Sequence, residues 1–185
     1  SGARGVRTLC SDDYLWLPFT VAKYIKQTGD SAILDIKLPY LDSPPLKDKE
    51  SERYEKPSRS HAKETLYMHC VRAIDHGLSF GKHGLPYMGS CDWNDGMSAI
   101  GEGGGESVWL GFFLVLTIRS FLTITDGLKD ESAARYRDVL KTLRASLEKC
   151  FEKDRYLRAF FADGTAVGAP GAPECEIDIL PQAFA

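Results

Sequence analysis

Two acidic residues, an amide and an indole occupy four consecutive positions of the sequence, at Asp92, Trp93, Asn94 and Asp95. Carboxylates and amides form hydrogen bonds with sugar hydroxyls, and an aromatic face covers the apolar C–H side of a sugar ring. A carboxyl group that an indole partly shields from water keeps its proton closer to neutral pH and can donate it. The pattern therefore indicates a sugar-binding loop that carries a general acid.

Two other structures compete with a sugar site in this loop. A calcium loop of the EF-hand type needs an oxygen ligand at the fifth position of the run, where Gly96 has no side chain to offer. A surface turn rich in aspartate and asparagine is the plainer alternative, and local composition alone leaves it open. Trp93 argues against the plain turn, because an indole in a turn usually packs against a partner.

Asp12 and Asp13 follow Ser11 at the start of an apolar stretch. Such a pair suits the start of a helix, where free N–H groups and the helix dipole favour oxygen ligands and negative charge. The alternative is that one of the two lines a sugar subsite while the other caps the helix. We expect Glu106 to be a first-turn dipole partner of the next helix. The four histidines share no metal-binding spacing, so we predict no metal ligands.

Charge and composition exclude several classes of partner. The 23 basic and 26 acidic residues give a net charge of −3, which lacks the positive excess expected for binding nucleic acid. The glycine-rich run 101–105 lacks the lysine and the preceding strand of a nucleotide-phosphate loop. Five scattered cysteines without a C-x-x-C pair indicate reduced thiols in a cytoplasmic protein. The apolar run 108–118 is too short to span a bilayer and predicts a buried helix. A longer parent chain could still associate with the inner membrane through another segment.

Hydrophobic periodicity predicts an all-α chain in which helices are joined by long loops. The main helices are expected at about residues 14–25, 60–75, 106–125 and 131–153. Residues 46–59 are densely charged and predict an exposed excursion. Residues 78–105 contain too many glycines for a helix and predict a long loop, of a length that is uncommon unless the loop is functional.

Three segments together resemble the glycoside hydrolase family 94 phosphorylases, which include cellobiose, chitobiose and β-1,2-oligoglucan phosphorylases. They are residues 11–18 (SDDYLWLP), 84–97 (GLPYMGSCDWNDGM) and 105–113 (GESVWLGFF). Within the family, the chain is most similar to the phosphorylase-like domain of cyclic β-1,2-glucan synthases, to which residues 5–8 (GVRT) are also similar. The resemblance runs over essentially the whole chain, and the DWNDG loop in this setting is highly specific. Cys91 departs from the glycine that is common there.

The resemblance implies that residues 1–185 are an internal fragment of one catalytic domain, an (α/α)6 barrel that is incomplete in this chain. It implies that Asp95 protonates the glycosidic oxygen and that Trp93 borders the transferred sugar. Inorganic phosphate would replace the base-activated water of an inverting glycosidase, so no further cofactor is expected. The other candidate substrate-binding residues are Asp92, Asn94, Asp12, Asp13 and Arg7.

The expected activity is inverting phosphorolysis of β-glucosidic bonds, β-1,2-glucan above all, giving α-glucose 1-phosphate, or the reverse synthesis. Cellobiose- or chitobiose-type phosphorolysis and a noncatalytic β-glucan-binding module are the alternatives. A hydrolase would need a second carboxylate about 6.5–9.5 Å from Asp95, for which Asp12 and Asp13 are candidates. The expected partners are a β-linked glucooligosaccharide and inorganic phosphate. The chain is expected to belong to a larger multidomain protein, and a homodimer is compatible with this expectation. Because the phosphate-binding segment is expected beyond Ala185, the isolated chain is expected to be inactive.

Overall fold

The computed structural model describes residues 4–48 and 50–185, in which helices alternate with short strands. The helices are α1 (Trp16–Thr28), α2 (Leu66–His76), α3 (Ser98–Gly101), α4 (Val108–Leu128), α5 (Ser132–Glu148) and α6 (Ile179–Phe184). The strands are β1 (Gly5–Thr8), β2 (Lys37–Asp42), β3 (Glu52–Glu55), β4 (Ser58–Thr65), β5 (Glu106–Ser107), β6 (Phe151–Glu152), β7 (Arg155–Tyr156), β8 (Ala159–Phe160) and β9 (Ala166–Val167). Two 3₁₀ helices cover Ser31–Asp35 and Asp95–Met97.

Helix α4 forms the centre of the hydrophobic core. Its sequence is apolar on nearly every face, so packing on all sides removes the most apolar surface from water. Phe113, Ile118 and Phe121 are fully buried, and α1, α5 and α6 pack against the helix. The predicted helices over 106–125 and 131–153 are confirmed as α4 and α5, although α5 ends earlier, at Glu148.

α4 extends well beyond the most apolar run, 108–118, and continues to Leu128. By length and composition alone it could cross a membrane, with a mean hydropathy of 1.8. However, 61% of its most apolar window is buried within the chain. A buried core helix passes the same test of length and hydropathy. The burial of α4 against α1, α5 and α6 therefore accounts for its apolar sequence.

Helix α1 begins at Trp16, and the aspartate pair lies in the turn before it rather than in its first turn. Pro18 lies near the start of the helix, where a missing N–H breaks no hydrogen bond within the helix. Gly29 ends α1 in the left-handed conformation, with φ of 74°, and donates its N–H to the carbonyl of Ile25. The helix predicted over residues 14–25 is thereby confirmed, with its start at Trp16 and its end at Thr28.

The all-α prediction is not confirmed, because 20% of the described residues lie in strands or β-bridges, against 44% in helices. β2 pairs antiparallel with β4, and β1 with β3. The helix expected over 60–75 consequently begins only at Leu66, after Thr65 accepts a hydrogen bond from the N–H of Met68 and caps α2. The sequence did not indicate these strands, because β3 and β4 are largely polar and the apolar residues of β2 run consecutively from Leu38 to Leu41 instead of alternating with polar ones.

The segment 46–59 contains β3 and the first two residues of β4. Its described residues are exposed or half-buried. Arg53 pairs with the carboxylates of Glu50 and Glu55, each at 3.0 Å. Partly exposed ion pairs of this kind add little to stability, so the segment depends on its strand pairing rather than on the core.

The glycine-rich stretch 78–105 is a long loop, as predicted, interrupted by the 3₁₀ helix at Asp95–Met97 and by α3. Directly after it, β5 pairs antiparallel with β8, which in turn pairs with β9. The register places Ser107 opposite Ala159. This pairing brings Arg158, the residue before β8, beneath the loop.

Candidate active site

The loop 89–97 presents Trp93, Asn94 and Asp95 to solvent. Side chains of the loop hold its own backbone: Asp92 Oδ1 accepts a hydrogen bond from the N–H of Asn94 at 3.2 Å, and Asn94 Oδ1 accepts one from the N–H of Gly96 at 2.9 Å. Asn94 thereby caps the 3₁₀ helix that begins at Asp95. The sequence folds locally into a turn that leaves the Asp95 carboxyl group accessible.

Asp92 lies beneath the loop, with only 1% of its surface exposed. Its carboxylate forms a bidentate ion pair with Arg158, with N–O distances of 2.6 and 2.7 Å, and accepts a hydrogen bond from Ser107 Oγ at 2.6 Å. Both oxygens are therefore occupied inside the protein. The prediction that Asp92 binds sugar directly is corrected: Asp92 anchors the loop.

Arg158 is completely buried, and the sequence patterns do not reveal that it pairs with Asp92. Besides Asp92, it donates from Nε to Asp178 at 3.0 Å. Burial tends to lower the pKa of Arg158, but the hydrogen bonds and charges of Asp92 and Asp178 outweigh burial and raise it. The guanidinium therefore remains charged and compensates the buried Asp92 carboxylate.

Asp12 is buried as well, at 4% exposure, and accepts a hydrogen bond from Trp16 Nε1 at 2.9 Å. Burial raises the pKa of the Asp12 carboxyl group, the Trp16 hydrogen bond opposes that rise, and the nearby charges of Asp13 and Asp92 add to it. Asp12 therefore orients an indole instead of facing a ligand, which corrects its assignment as a direct sugar contact.

Trp93 is 57% exposed and nevertheless has aromatic neighbours. Its ring centroid lies 5.6 Å from that of Trp16 and 6.4 Å from that of Trp109. Trp109 stacks on Phe113 of the core, with an interplanar angle of 12°. The aromatic cluster thus connects the loop to α1 and α4 and supports an indole that remains open to a ligand, which a plain surface turn would not require.

Asp13 and Arg7 lie on different parts of the surface. Asp13 is exposed, accepts a hydrogen bond from Thr8 Oγ1 at 2.5 Å and lines a cavity of about 650 Å³. Arg7 instead donates to the carbonyl oxygen of Ser43 at 3.2 Å and lines a separate cleft. The structure therefore places Asp13 at an accessible cavity and does not bring Arg7 to it.

A disulfide bond joins Cys10 to Cys91, whose Cα atoms lie 4.7 Å apart. The prediction of reduced thiols is wrong for this pair, because the fold brings together residues that are 81 positions apart in sequence. The bond connects the segment 7–13 to the loop that carries Asp95. The two sulfurs and the Asp95 carboxylate lie within 4.8 Å of one another, but metals bind thiolates, and these sulfurs are bonded to each other.

Glu106 has a role other than the expected first-turn partner, since Ser107 caps α4 by accepting a hydrogen bond from the N–H of Leu110. The buried Glu106 carboxylate accepts hydrogen bonds from the N–H groups of His83 and Leu85, and His83 Nδ1 lies 2.6 Å from it. Glu106 therefore holds the first part of the long loop, and its neighbour Ser107 holds the second part through Asp92.

Comparison with known proteins identifies the family of the chain and several relatives. Residues 2–185 match the family described as the glycosyl hydrolase 94 superfamily, catalytic domain. The chain is 39% identical to the cyclic beta-(1,2)-glucan synthase NdvB of Rhizobium meliloti (strain 1021), over 97% of this chain and 6% of that protein. It is 27% identical to the N,N'-diacetylchitobiose phosphorylase of Vibrio furnissii, over 89% of this chain and 18% of that protein. It is 29% identical to the solabiose phosphorylase of Paenibacillus borealis, over 95% of this chain and 21% of that protein.

The chain therefore belongs to the glycosyl hydrolase 94 superfamily, whose catalytic domain has the (α/α)6 barrel fold. The names of these relatives describe phosphorylases and a glucan synthase, which are enzymes that transfer glycosyl groups. The chain spans between 6% and 21% of the length of the three relatives.

Proposed function

We propose that this chain supplies the general acid of an inverting glycoside phosphorylase, or of an enzyme that synthesises β-glucan by the reverse reaction. The observation that carries the proposal is the division of roles in the DWNDG loop. Asp95 and Trp93 are exposed, whereas Asp92 is held in the core by Arg158. A proton donor must be accessible to substrate and fixed in position, and an exposed carboxyl group on an anchored turn meets both requirements.

In the proposed reaction, Asp95 gives its proton to the glycosidic oxygen while the bond from that oxygen to the anomeric carbon breaks. Inorganic phosphate attacks the anomeric carbon from the opposite face, which converts a β-glucoside to α-glucose 1-phosphate. Trp93 borders the transferred sugar. Because phosphate is itself a competent nucleophile, the reaction needs no second catalytic carboxylate and no further cofactor.

The surrounding residues divide into direct and indirect contacts in this proposal. Asp13 and Asn94 are exposed and are proposed to bind sugar hydroxyls, whereas Arg7 lies in a separate cleft and donates to Ser43. Asp12 acts through Trp16, whose ring contacts the ring of Trp93.

The proposed substrate is a β-1,2-linked glucooligosaccharide. The support for this linkage is the similarity to a cyclic beta-(1,2)-glucan synthase at 39% identity, compared with 27% for a chitobiose phosphorylase. The domain is proposed to be part of a larger multidomain protein that is cytoplasmic or held at the inner membrane. A homodimer of that protein is compatible with this organisation. Cellobiose- or chitobiose-type phosphorolysis is the alternative specificity.

The proposal is tested by incubating the full-length protein with β-1,2-glucooligosaccharides and phosphate and measuring α-glucose 1-phosphate. Cellobiose and N,N'-diacetylchitobiose are assayed in parallel, each with and without phosphate. We expect phosphate-dependent product from the β-1,2-glucan alone. Product only from another disaccharide would overturn the linkage, phosphate-independent release of reducing sugar would indicate a hydrolase, and no turnover at all would contradict the function.

A further inference from the structure

The disulfide between Cys10 and Cys91 bridges two segments that backbone hydrogen bonds already pair. The N–H of Ser11 donates to the carbonyl of Cys91 at 2.9 Å, and the N–H of Ser90 donates to the carbonyl of Leu9 at 3.0 Å. Because these bonds involve only backbone atoms, they hold the two sulfurs next to each other whether or not the sulfurs are bonded. Such pre-alignment is what a reversible disulfide needs.

We propose that Cys10 and Cys91 form a reversible thiol–disulfide modification site and that the disulfide form holds the Asp95 loop in its active position. The effect on turnover rests on the function proposed above, whereas the existence of the modification site does not.

The pair is accessible from one side. Cys10 is half-buried and lines the cavity of about 650 Å³ that Asp13 also lines, whereas Cys91 is only 5% exposed. Thiol–disulfide exchange requires a thiolate to approach the sulfur that it attacks. A small reductant that enters this cavity therefore reaches the sulfur of Cys10 before that of Cys91.

The exchange is balanced with a dithiol as the two-electron reductant. One thiolate of the dithiol attacks Cys10 Sγ, the bond between the two cysteine sulfurs breaks, and Cys91 leaves as a thiolate that takes up a proton. The second thiol of the reductant then attacks the mixed disulfide, so that Cys10 is released and protonated and the reductant becomes a disulfide. An oxidised dithiol reverses both steps.

Reduction changes the surroundings of the Asp95 carboxyl group in two ways. It removes the covalent link between the segment 7–13 and the loop, and it turns Cys91 into a thiol whose sulfur lies 3.9 Å from Asp95 Oδ1. A thiol is a weak hydrogen-bond donor and competes for the oxygen that must face the substrate. Because Arg158 still holds Asp92, the loop is loosened rather than released, and activity falls without disappearing.

The remaining cysteines provide the controls. Cys70 and Cys150 are buried, and burial raises the pKa of each thiol to about 12, so both are poor partners for exchange. Cys175 is exposed and free. The variant Cys175→Ser therefore removes the accessible thiol that lies outside the proposed site and leaves the pair unchanged.

The experiment equilibrates the full-length protein in buffers of graded reduced and oxidised dithiothreitol. Free thiols are then alkylated, and peptides are mapped by mass spectrometry without reduction. We expect a linked Cys10–Cys91 peptide under oxidising conditions and two alkylated cysteines under reducing conditions. The kcat for phosphorolysis is expected to be roughly tenfold lower in the reduced protein, less than the ~10²-fold that a displacement of about 1 Å can cost, and to recover on reoxidation.

Variants separate the pair from other thiols. Cys175→Ser should respond to the buffers as the wild type does, whereas Cys10→Ser and Cys91→Ser should be insensitive and remain at the reduced level. Absence of the linked peptide would overturn the modification site. A linked peptide with an unchanged or higher kcat on reduction would overturn its effect. Formation of the bond without turnover in either state would contradict the proposed function and support the modification site alone.

Discussion

The two aspartates of the DWNDG loop have opposite surroundings although they are only three positions apart. Asp92 is buried against a charged arginine, and Asp95 is exposed on a 3₁₀ helix. The first carboxylate stabilises the loop, and the second is free to react with a ligand. The assignment of roles at the residue scale therefore comes from burial and ion pairing rather than from residue type.

Asp92→Asn should lower the free energy of unfolding by about 3–5 kcal/mol, because it leaves the fully buried Arg158 without its main counter-charge. Chemical denaturation followed by tryptophan fluorescence measures the loss. Arg137→Ala is the matched control: it breaks the exposed pair with Asp126 and should cost no more than about 1 kcal/mol. Equal losses in the two variants would contradict the anchoring role of Asp92.

The buried carboxyl group of Asp12 should make stability depend on pH. Burial raises its pKa in the folded protein above the ordinary value of 3.8. At a pH between 3.8 and the raised pKa, the folded protein therefore holds more protons than the unfolded chain. The free energy of unfolding therefore falls as the pH rises through that interval. Asp12→Asn has no such titration and can still accept a hydrogen bond from Trp16.

We therefore expect the difference in unfolding free energy, wild type minus Asp12→Asn, to decrease as the pH rises from 3.8. Urea titrations at closely spaced pH values measure this difference. A difference that increases with pH would show that the Asp12 carboxylate is stabilised by the fold instead of being desolvated by it.

At the scale of elements, the start of α4 is where the core meets the loop. Ser107 Oγ caps the helix, donates to Asp92 and lies 3.3 Å from Arg158 Nη1. By comparison, Thr65 caps α2 at a partly exposed position, with a single hydrogen bond to the N–H of Met68. One serine thus links helix capping to the position of the loop.

Thr65→Ala should cost about 1 kcal/mol, as is usual for the loss of an N-cap. Ser107→Ala should cost more, about 2–3 kcal/mol, because it also leaves buried charged groups without a hydrogen-bond partner. Denaturation of both variants under the same conditions compares the two caps. Equal costs would mean that the contacts of Ser107 with Asp92 and Arg158 contribute nothing to stability.

The helices and strands differed in how well the sequence could predict them. α4 follows from a nearly uninterrupted apolar run, and α5 from apolar residues spaced three or four positions apart. β4 is almost entirely polar and the apolar residues of β2 are consecutive, so neither strand alternates between apolar and polar residues. Arg158 and Cys10 also complete the candidate site. Both reach the loop only through contacts between segments that are far apart in the sequence, and no local sequence pattern reveals such contacts.

At the scale of the whole molecule, the aromatic cluster couples the candidate site to the core. Phe113 is fully buried in α4 and contacts both Trp16 and Trp109, which lie next to Trp93. The sequence predicted the loop and its family from the motif, but not that the core helix supports the loop through stacked rings.

Phe113→Ala should lower the free energy of unfolding by about 3–5 kcal/mol, because it leaves a cavity under the aromatic cluster. It should also change the mobility of the tryptophan cluster as a whole (Trp16, Trp93 and Trp109), which the anisotropy of tryptophan fluorescence reports. Leu128→Ala, at the 54% exposed end of the same helix, is the control and should change stability by no more than about 0.5 kcal/mol. A similar loss in both variants would contradict the central position of Phe113.

The most direct test of Asp95 as the general acid is the rate of α-glucose 1-phosphate formation by the full-length protein carrying Asp95→Asn. The substitution keeps the shape of the side chain and removes the transferable proton. We predict a rate about 10²–10⁴-fold below that of the wild type, with a smaller loss on a substrate whose leaving group needs no proton. Asp163→Asn, at another exposed turn, should leave the rate unchanged. An Asp95→Asn rate equal to that of the wild type on a β-linked glucooligosaccharide would contradict the account.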